Sequence, residues 1–378
     1  MTRRIYSLRE IAPPAPAVTT PVGEKVWLLN LDQIESHTGT LLSREYVERS
    51  GLGTSTHAFD DGNVLYSKLR PYLNKVILPD IAGYCTSELV PMRPNQAVVT
   101  REYLAAYLRS PSFLNWVSQQ VDGAKMPRVS MKVLWEHCIE LPTLDEQKRI
   151  TAILDRADNL RRKRQETVWL ADEFLRAVFI DMFGDPVANP KGWQVKRLAD
   201  LGSLDRGISK HRPRNDPSLL GGHHPLIQTG EVANCDGYIR SYTRTYSDKG
   251  LLQSKLWPAG TLCITIAANI AKTGILLFPA CFPDSVVGFT APANATVEYV
   301  RFWLSFLQKT LEANAPESAQ KNINLAILRD LQIPVPPIDL VRRFSAVVSA
   351  TESIRVAQRR SVQESLSLSA SLQHELLA

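Results

Sequence analysis

With 378 residues, the chain is too long for one ordinary domain and has room for two plus connectors. A composition of 44% hydrophobic and 22% charged residues fits a folded globular protein, and the lack of Gly, Ser or Gln runs excludes low-complexity disorder. The formal net charge of +6 admits an anionic partner without requiring one.

The opening MTRRIYSLRE is not followed by the apolar core of a signal peptide, and no run of about 18 apolar residues is present to span a membrane. The five cysteines (Cys85, Cys138, Cys235, Cys263 and Cys281) are odd in number and form no C-x-x-C pair. Ordinary buried thiols in a reducing cytoplasm are therefore expected, with no disulfide framework and no zinc site.

Taken in order, RIYSLREIA leads into a turn-rich APPAPAVTTPVG and then short strands in VWLLNLDQI, NVLYSKLR, NKVILPD and ELVPMRP. REYLAAYLRSPSFLNWVSQQ predicts a helix, with Tyr103, Leu104, Tyr107 and Leu108 at helical spacing. From Asp145 to Phe183 no Gly or Pro interrupts the chain, while Pro142 stands before it and Gly184 and Pro186 after it. These punctuators predict one helix of roughly 55–60 Å. Ile150, Ile153, Ala157 and Leu160, then Ala171, Phe174 and Val178, predict an a/d seam broken at Arg164 and Thr167, facing one long partner helix.

After Gly184 the programme repeats. WQVKRLADLG follows the pattern of RIYSLREIA, and GISKHRPRNDPS replaces the proline-rich loop. Gly237 stands 198 residues beyond Gly39, and Gly260 the same distance beyond Gly62. RVSMKVLWEHCIELPTLDEQKRI aligns without a gap, 194 residues on, with NINLAILRDLQIPVPPIDLVRRF. A second uninterrupted helix is predicted over Asp339 to Leu377. The period is too long for a solenoid and indicates tandem duplication of a mixed body followed by a long helix. Each helix carries an apolar stripe that the other can cover. If they run antiparallel, a direct repeat in sequence becomes an approximate two-fold in space, which suits duplex DNA.

The organisation body–helix–body–helix, with LPTLDEQKRITAILDRADNL opening the central helix, FIDMFGDP closing it and GWQVKRLADLG starting the second half, resembles the DNA-specificity (S) subunit of type I restriction–modification systems. The resemblance covers nearly the whole chain. VPPIDLVRRF is a weaker copy of the helix start, because Leu340 and Val341 replace the Glu146-Gln147 pair. It implies an α+β chain of two globular α/β target-recognition domains in tandem repeat, separated by two long antiparallel helices forming a coiled coil with pseudo-two-fold symmetry. The expected division is a first recognition domain over 1–143, a central spacer helix over 144–185, a second recognition domain over 186–336 and a C-terminal helix over 337–378.

The resemblance further implies that each domain reads one half of a split double-stranded DNA target, and that the coiled coil sets the gap between the halves. Two methyltransferase subunits carrying S-adenosylmethionine would dock on the helices and domains and methylate adenine N6. Restriction/translocase subunits, with ATP and Mg, can join such assemblies. The specificity subunit itself would be non-catalytic, with no metal or cofactor of its own.

No phosphate-binding G-x-x-x-x-G-K-[ST], G-x-G-x-x-G or H-E-x-x-H motif is present, nor an Asn-Pro-Pro-Tyr methyltransferase signature. His223 and His224 read as loop or DNA-facing residues, and Asp60-Asp61 as a turn before a strand. DNA contacts require Lys or Arg for phosphates and Arg, Asn, Gln, Ser or Thr for base edges. In the first body the candidates are Lys68, Arg70, Lys75, Lys125 and Arg128. In the second they are Ser209, Lys210, His211, Arg212, Arg214, Asn269, Lys272, Gln320, Lys321 and Asn322. The run Arg161 to Arg164 either neutralises phosphates or forms a solvated face paired with Asp158 and Glu166. Trp169, Leu170, Leu175 and Phe179 lie partly off the seam and suggest a contact with a methyltransferase partner or with a neighbouring body. The competing reading is a coiled-coil assembly scaffold or regulator that never reads DNA.

Overall fold

The computed structural model describes residues 4–19, 21–123, 125–211, 213–267, 271–313 and 324–377. The chain divides into two compact units, Met1–Glu166 with Gln358–Ala378, and Thr167–Ala357. Each unit combines a mixed α/β body with part of each long helix.

In the first unit, strand Arg4–Ser7 pairs antiparallel with Cys138–Leu141, Arg4 opposite Leu141 and Ser7 opposite Cys138, so the body opens and closes on one ribbon. Between them lie two sheets. One runs in the order Glu45–Glu48, Lys25–Leu29, Gly83–Cys85, His57–Phe59, and the other Val76–Ile77, Val64–Ser67, Leu89–Met92. Strand Val64–Ser67 is buried along its whole length, and Trp27 meets Phe59 edge to face at 5.1 Å. Asp60 sits in the turn before that strand, accepting from the Gly62 and Val18 N–H groups and from Arg93. Burial pushes its carboxyl up, but Arg93 and the N–H donors of Thr19, Gly62 and Val18 outweigh that and hold it well below the usual range.

The expected helix over REYLAAYLRSPSFLNWVSQQ is two, Arg101–Leu108 and Pro111–Ser118. Pro111 has no N–H to continue the first helix, and Ser110 caps the second by accepting from the Phe113 N–H at 3.3 Å.

The second unit closes the same way. Gln194–Arg197 pairs with Gln332–Val335, Gln194 opposite Val335 and Arg197 opposite Gln332. The strand before each long helix is displaced by the 194 residues of the ungapped alignment, and so is the short helix before it (Met131–Glu136 and Leu325–Asp330). Its sheets run in the orders Ser203–Arg206, Val286–Thr290, Leu262–Thr265, Thr273–Leu276, Gly237–Ile239 and Arg244–Tyr246, Leu220–Leu226, Ala280–Cys281, Leu256–Trp257. Gly39 and Gly237 both adopt positive φ (66° and 93°). A Cβ at either would collide with an arginine guanidinium, Arg109 in one unit and Arg301 in the other.

The central helix spans Leu144–Phe183 and the C-terminal helix Ile338–Leu377. At the end of the first, the Gly184 N–H donates to Ile180, Lys191 Nζ donates to the Asp181 and Met182 carbonyls, and Trp193 Nε1 donates to the Phe183 carbonyl. The orphan carbonyls of the last turn are thereby satisfied. Within each unit the two helices run antiparallel. In the first, Arg164 reaches Ser361 and Ser365 while Ile150 and Leu154 share a core with Leu377; in the second, Arg355 meets Asp172 while Phe344 meets Phe179 and Phe183.

The seam differs from the predicted one. The inward positions are Ile150, Leu154, Ala157, Arg161, Arg164, Val168, Ala171, Leu175, Val178 and Met182, an unbroken four–three alternation. Leu160 and Phe174 are instead 48% and 51% exposed. Arg164 does not break the seam but belongs to it, donating to the Ser361 carbonyl at 2.9 Å.

Candidate nucleic-acid interface

In the first unit, four of the five candidate basic residues come together. The Lys68 N–H donates to the Glu88 carbonyl, the Val129 N–H to the Lys68 carbonyl, and the Arg70 N–H to the Pro127 carbonyl at 2.8 Å. These bonds lash the loop holding Lys68 and Arg70 to the segment holding Lys125 and Arg128. Arg70 adopts a left-handed φ of 48°, which turns the chain sharply into Pro71. Arg70 and Lys125 are exposed, and Lys68 and Arg128 half-buried. Arg128 is held by Glu88 at 2.7 Å, and that guanidinium, helped by the charge of Lys68, keeps the Glu88 carboxyl below its ordinary range. Two carboxylates, Glu88 and the exposed Asp122 opposite Arg128 in its ribbon, stand among four cations and leave the surface positive.

Lys75 departs from the group. Its Nζ donates to the Leu31 carbonyl at 2.6 Å, and burial lowers its pKa. A cation committed to a backbone carbonyl ties the loop to the sheet and has little left for a phosphate.

In the second unit, the loop with Ser209, Lys210, His211 and Arg214 is anchored from both sides. His211 Nε2 donates to the Asp216 carboxylate at 3.1 Å, the His211 backbone N–H donates to the Gln253 side-chain oxygen, and Ser254 Oγ donates to the Ile208 carbonyl. Arg214 pairs with Asp284 at 2.6 Å. Lys210 is exposed and Ser209 buried. Lys272 is half-buried and follows Ala271, which has a φ of 56° and corresponds in its hairpin to Asn74 before Lys75. Arg212, Asn269, Gln320, Lys321 and Asn322 lie outside the described residues.

Arg161 and Arg162 both pair with Asp158 at 2.7 Å, so they are engaged along the helix, as Arg164 is across it. Leu175 and Phe179 are 1% and 0% exposed, and Phe179 packs among Tyr299, Phe306 and Phe344. They fill the second unit's own core and present nothing to a partner; Trp169 and Leu170 remain exposed. His223 and His224 lie in strand Leu220–Leu226 rather than a loop, with His224 paired to Asp248 at 2.9 Å. Cys85, Cys263 and Cys281 are buried, but Cys138 is exposed on the closing ribbon. Among the described residues no cluster of His, Cys, Asp or Glu could hold a metal ion, and no helix is long and apolar enough to cross a membrane.

Two equivalent mixed bodies, each joined to a long helix through the same ribbon, match a known sequence pattern. The model of the type I restriction modification DNA specificity domain fits residues 50–168 and 190–353, well over half of the chain. The chain belongs to this family. Its relatives include the specificity subunit of the type I restriction enzyme EcoDI of Escherichia coli, 24% identical over 156 residues. That match covers 40% of this chain and 34% of the relative, about a third of its length. The MjaIX specificity subunit of Methanocaldococcus jannaschii is 25% identical over 341 residues, covering 81% of this chain and 74% of that one. The fold is shared with the S subunit of a type I restriction–modification system from M. genitalium (TM-score 0.61, 13% identity, 100% and 96% coverage). It is shared also with a chain from a study of assembly and conformational transition in a type I restriction–modification system (TM-score 0.60, 18% identity, 99% and 97% coverage). Specificity subunits are non-catalytic, and the family's role is sequence-specific DNA recognition.

Proposed function

We propose that this chain reads a bipartite duplex DNA target, one half-site per body, and that its paired helices carry two copies of a methyltransferase subunit. The observation that carries the reading is the repeated closing ribbon, Arg4 opposite Leu141 and Gln194 opposite Val335, which makes each body a separable reader fixed to a long helix in the same manner. The positive loops around Lys68, Arg70 and Lys125, and around Lys210, supply phosphate contacts that set register on DNA. S-adenosylmethionine, and ATP with Mg where a restriction subunit joins, would belong to the partners.

The two-copy stoichiometry has its own support. Leu160 and Ile354, and likewise Phe174 and Leu368, are equivalent across the 194-residue repeat, and all four are exposed on the long helices (48%, 55%, 51% and 57%). A duplicated apolar pair calls for a duplicated partner. A scaffold that ignored DNA is not favoured by the family.

The test is exchange of residues 1–143 for the corresponding body of a relative, followed by sequencing of methylated sites. One half-site should change while the other is kept. A change in both, or in neither, would overturn the modular reading.

A further inference from the structure

Beside the basic loop that carries Ser209 and Arg214, the second unit holds a cavity of about 230 Å³ walled largely by hydrogen-bonding side chains. Strand Leu220–Leu226 lies against Arg244–Tyr246 with Leu226 opposite Arg244. Gln228, just past the strand end, therefore lines the cavity together with Arg244, Asn215 and Thr229, and the buried Tyr246 backs it. Arg214 completes the wall but is held by Asp284 at 2.6 Å. Arg244 is exposed and makes no ion pair with any described residue. An available guanidinium beside two amides is the donor–acceptor set that reads purine edges, Arg to guanine O6 and N7, Gln or Asn to adenine N6 and N7.

The first unit shows the same frame with different chemistry. There Lys25–Leu29 pairs with Glu45–Glu48, Leu28 opposite Glu45. Leu28 and Leu226 are separated by the 198 residues that relate Gly39 to Gly237, so Glu45 stands where Arg244 stands and Asn30 where Gln228 stands. Glu45 accepts from Asn30 Nδ2 at 3.4 Å and from Gln33 Nε2 at 3.3 Å. A carboxylate at this place in the frame repels phosphate, so the first unit does not use it for a phosphate contact. A position that reads base edges is free to change, because a carboxylate accepts from cytosine N4 as a guanidinium donates to guanine.

We propose that this cavity receives the edge of a purine in the half-site read by the second unit, with Arg244 donating to guanine and Gln228 beside it. The inference rests on the DNA-reading function proposed above and names the residues through which the second body would discriminate.

The experiment uses the full chain with its methyltransferase partner, selecting bound duplexes from a pool randomised across the second half-site, at several salt concentrations. Arg244→Ala should abolish preference at one base position, with binding of the preferred sequence falling roughly 5- to 150-fold. Preference over the first half-site should stay intact, which also reports that the variant is folded. Arg244→Lys keeps the charge but loses the two-pronged geometry, so it should lose the same preference while keeping the salt slope. Unchanged preference in both variants would overturn the assignment. Uniform weakening at all sequences with a shallower salt slope would overturn it too, in favour of a phosphate contact. A wild-type chain with no preference anywhere would instead overturn the DNA-reading function itself.

Discussion

Arg355 on the C-terminal helix meets Asp172 on the central helix at 2.8 Å, with only 5% of the arginine side chain exposed. The same guanidinium takes Glu352 at 2.7 Å, and Glu352 is also bound by Arg240 from the second body. One run of alternating charges thus ties that body to both helices. It occupies a seam position where an apolar residue would ordinarily sit.

Removing one member of such a run strands the others. Arg355→Met should lower the stability of the second unit by about 1–3 kcal/mol, less than a fully buried pair because Asp172 is partly solvated. Adding Asp172→Leu should recover part of the loss. Denaturant unfolding of both single variants and the double variant measures the coupling; strictly additive effects would mean that the two side chains do not stabilise one another.

The basic residues of the first unit separate into two classes. Lys68→Ala, Arg70→Ala and Lys125→Ala should each weaken DNA binding at all sequences and lower the salt slope by about one. Lys75→Met should leave the slope unchanged and reduce thermal stability, because its ammonium is bound to the Leu31 carbonyl. A salt titration of duplex binding beside a melting curve distinguishes the classes. A lowered slope for Lys75→Met would show that this ammonium does face DNA.

His137 makes the first unit acid-sensitive. Its ring lies 3.9 Å from Trp116 and 5.1 Å from Phe113, with Nε2 at 2.9 Å from the Tyr107 hydroxyl. Burial lowers its pKa to about 4. The unfolded chain, with an ordinary histidine near 6.5, takes up the proton first. Stability is therefore lost as pH falls from about 6.5 toward about 4, and the full penalty holds below that. The drop in melting temperature between about pH 7 and about pH 5 should shrink in His137→Gln. An equal drop in both proteins would assign the acid sensitivity to another group.

The duplication, both long helices and their punctuation were legible because Pro, Gly and an ungapped 194-residue alignment act locally and survive divergence. The face of the central helix was not. Ile153 and Leu154, and Phe174 and Leu175, are neighbouring apolar residues, and periodicity alone cannot choose which of two neighbours faces inward. The partner helix decides, and it accepts Arg164 at a position that reads as a break. Residue type located the basic loops, but not the fate of each charge. Arg128 is claimed by Glu88 and Lys75 by Leu31, partners brought close only by the sheets. Arg244 and Gln228 escaped notice because strand register, not composition, sets them side by side.

The closing ribbons carry a consequence for how the protein folds. Arg4 finds Leu141, and Gln194 finds Val335, only after nearly an entire body has been made between them. Closing so long a loop is entropically costly unless the intervening sheets and helices have already condensed. Each ribbon should therefore zip late, and the long helix that follows it directly gains its anchor last. During synthesis the sheets of the first body can form before the helix Ile338–Leu377 exists, while Ile150 and Leu154 on the central helix wait for that helix to bring Leu377 into their core.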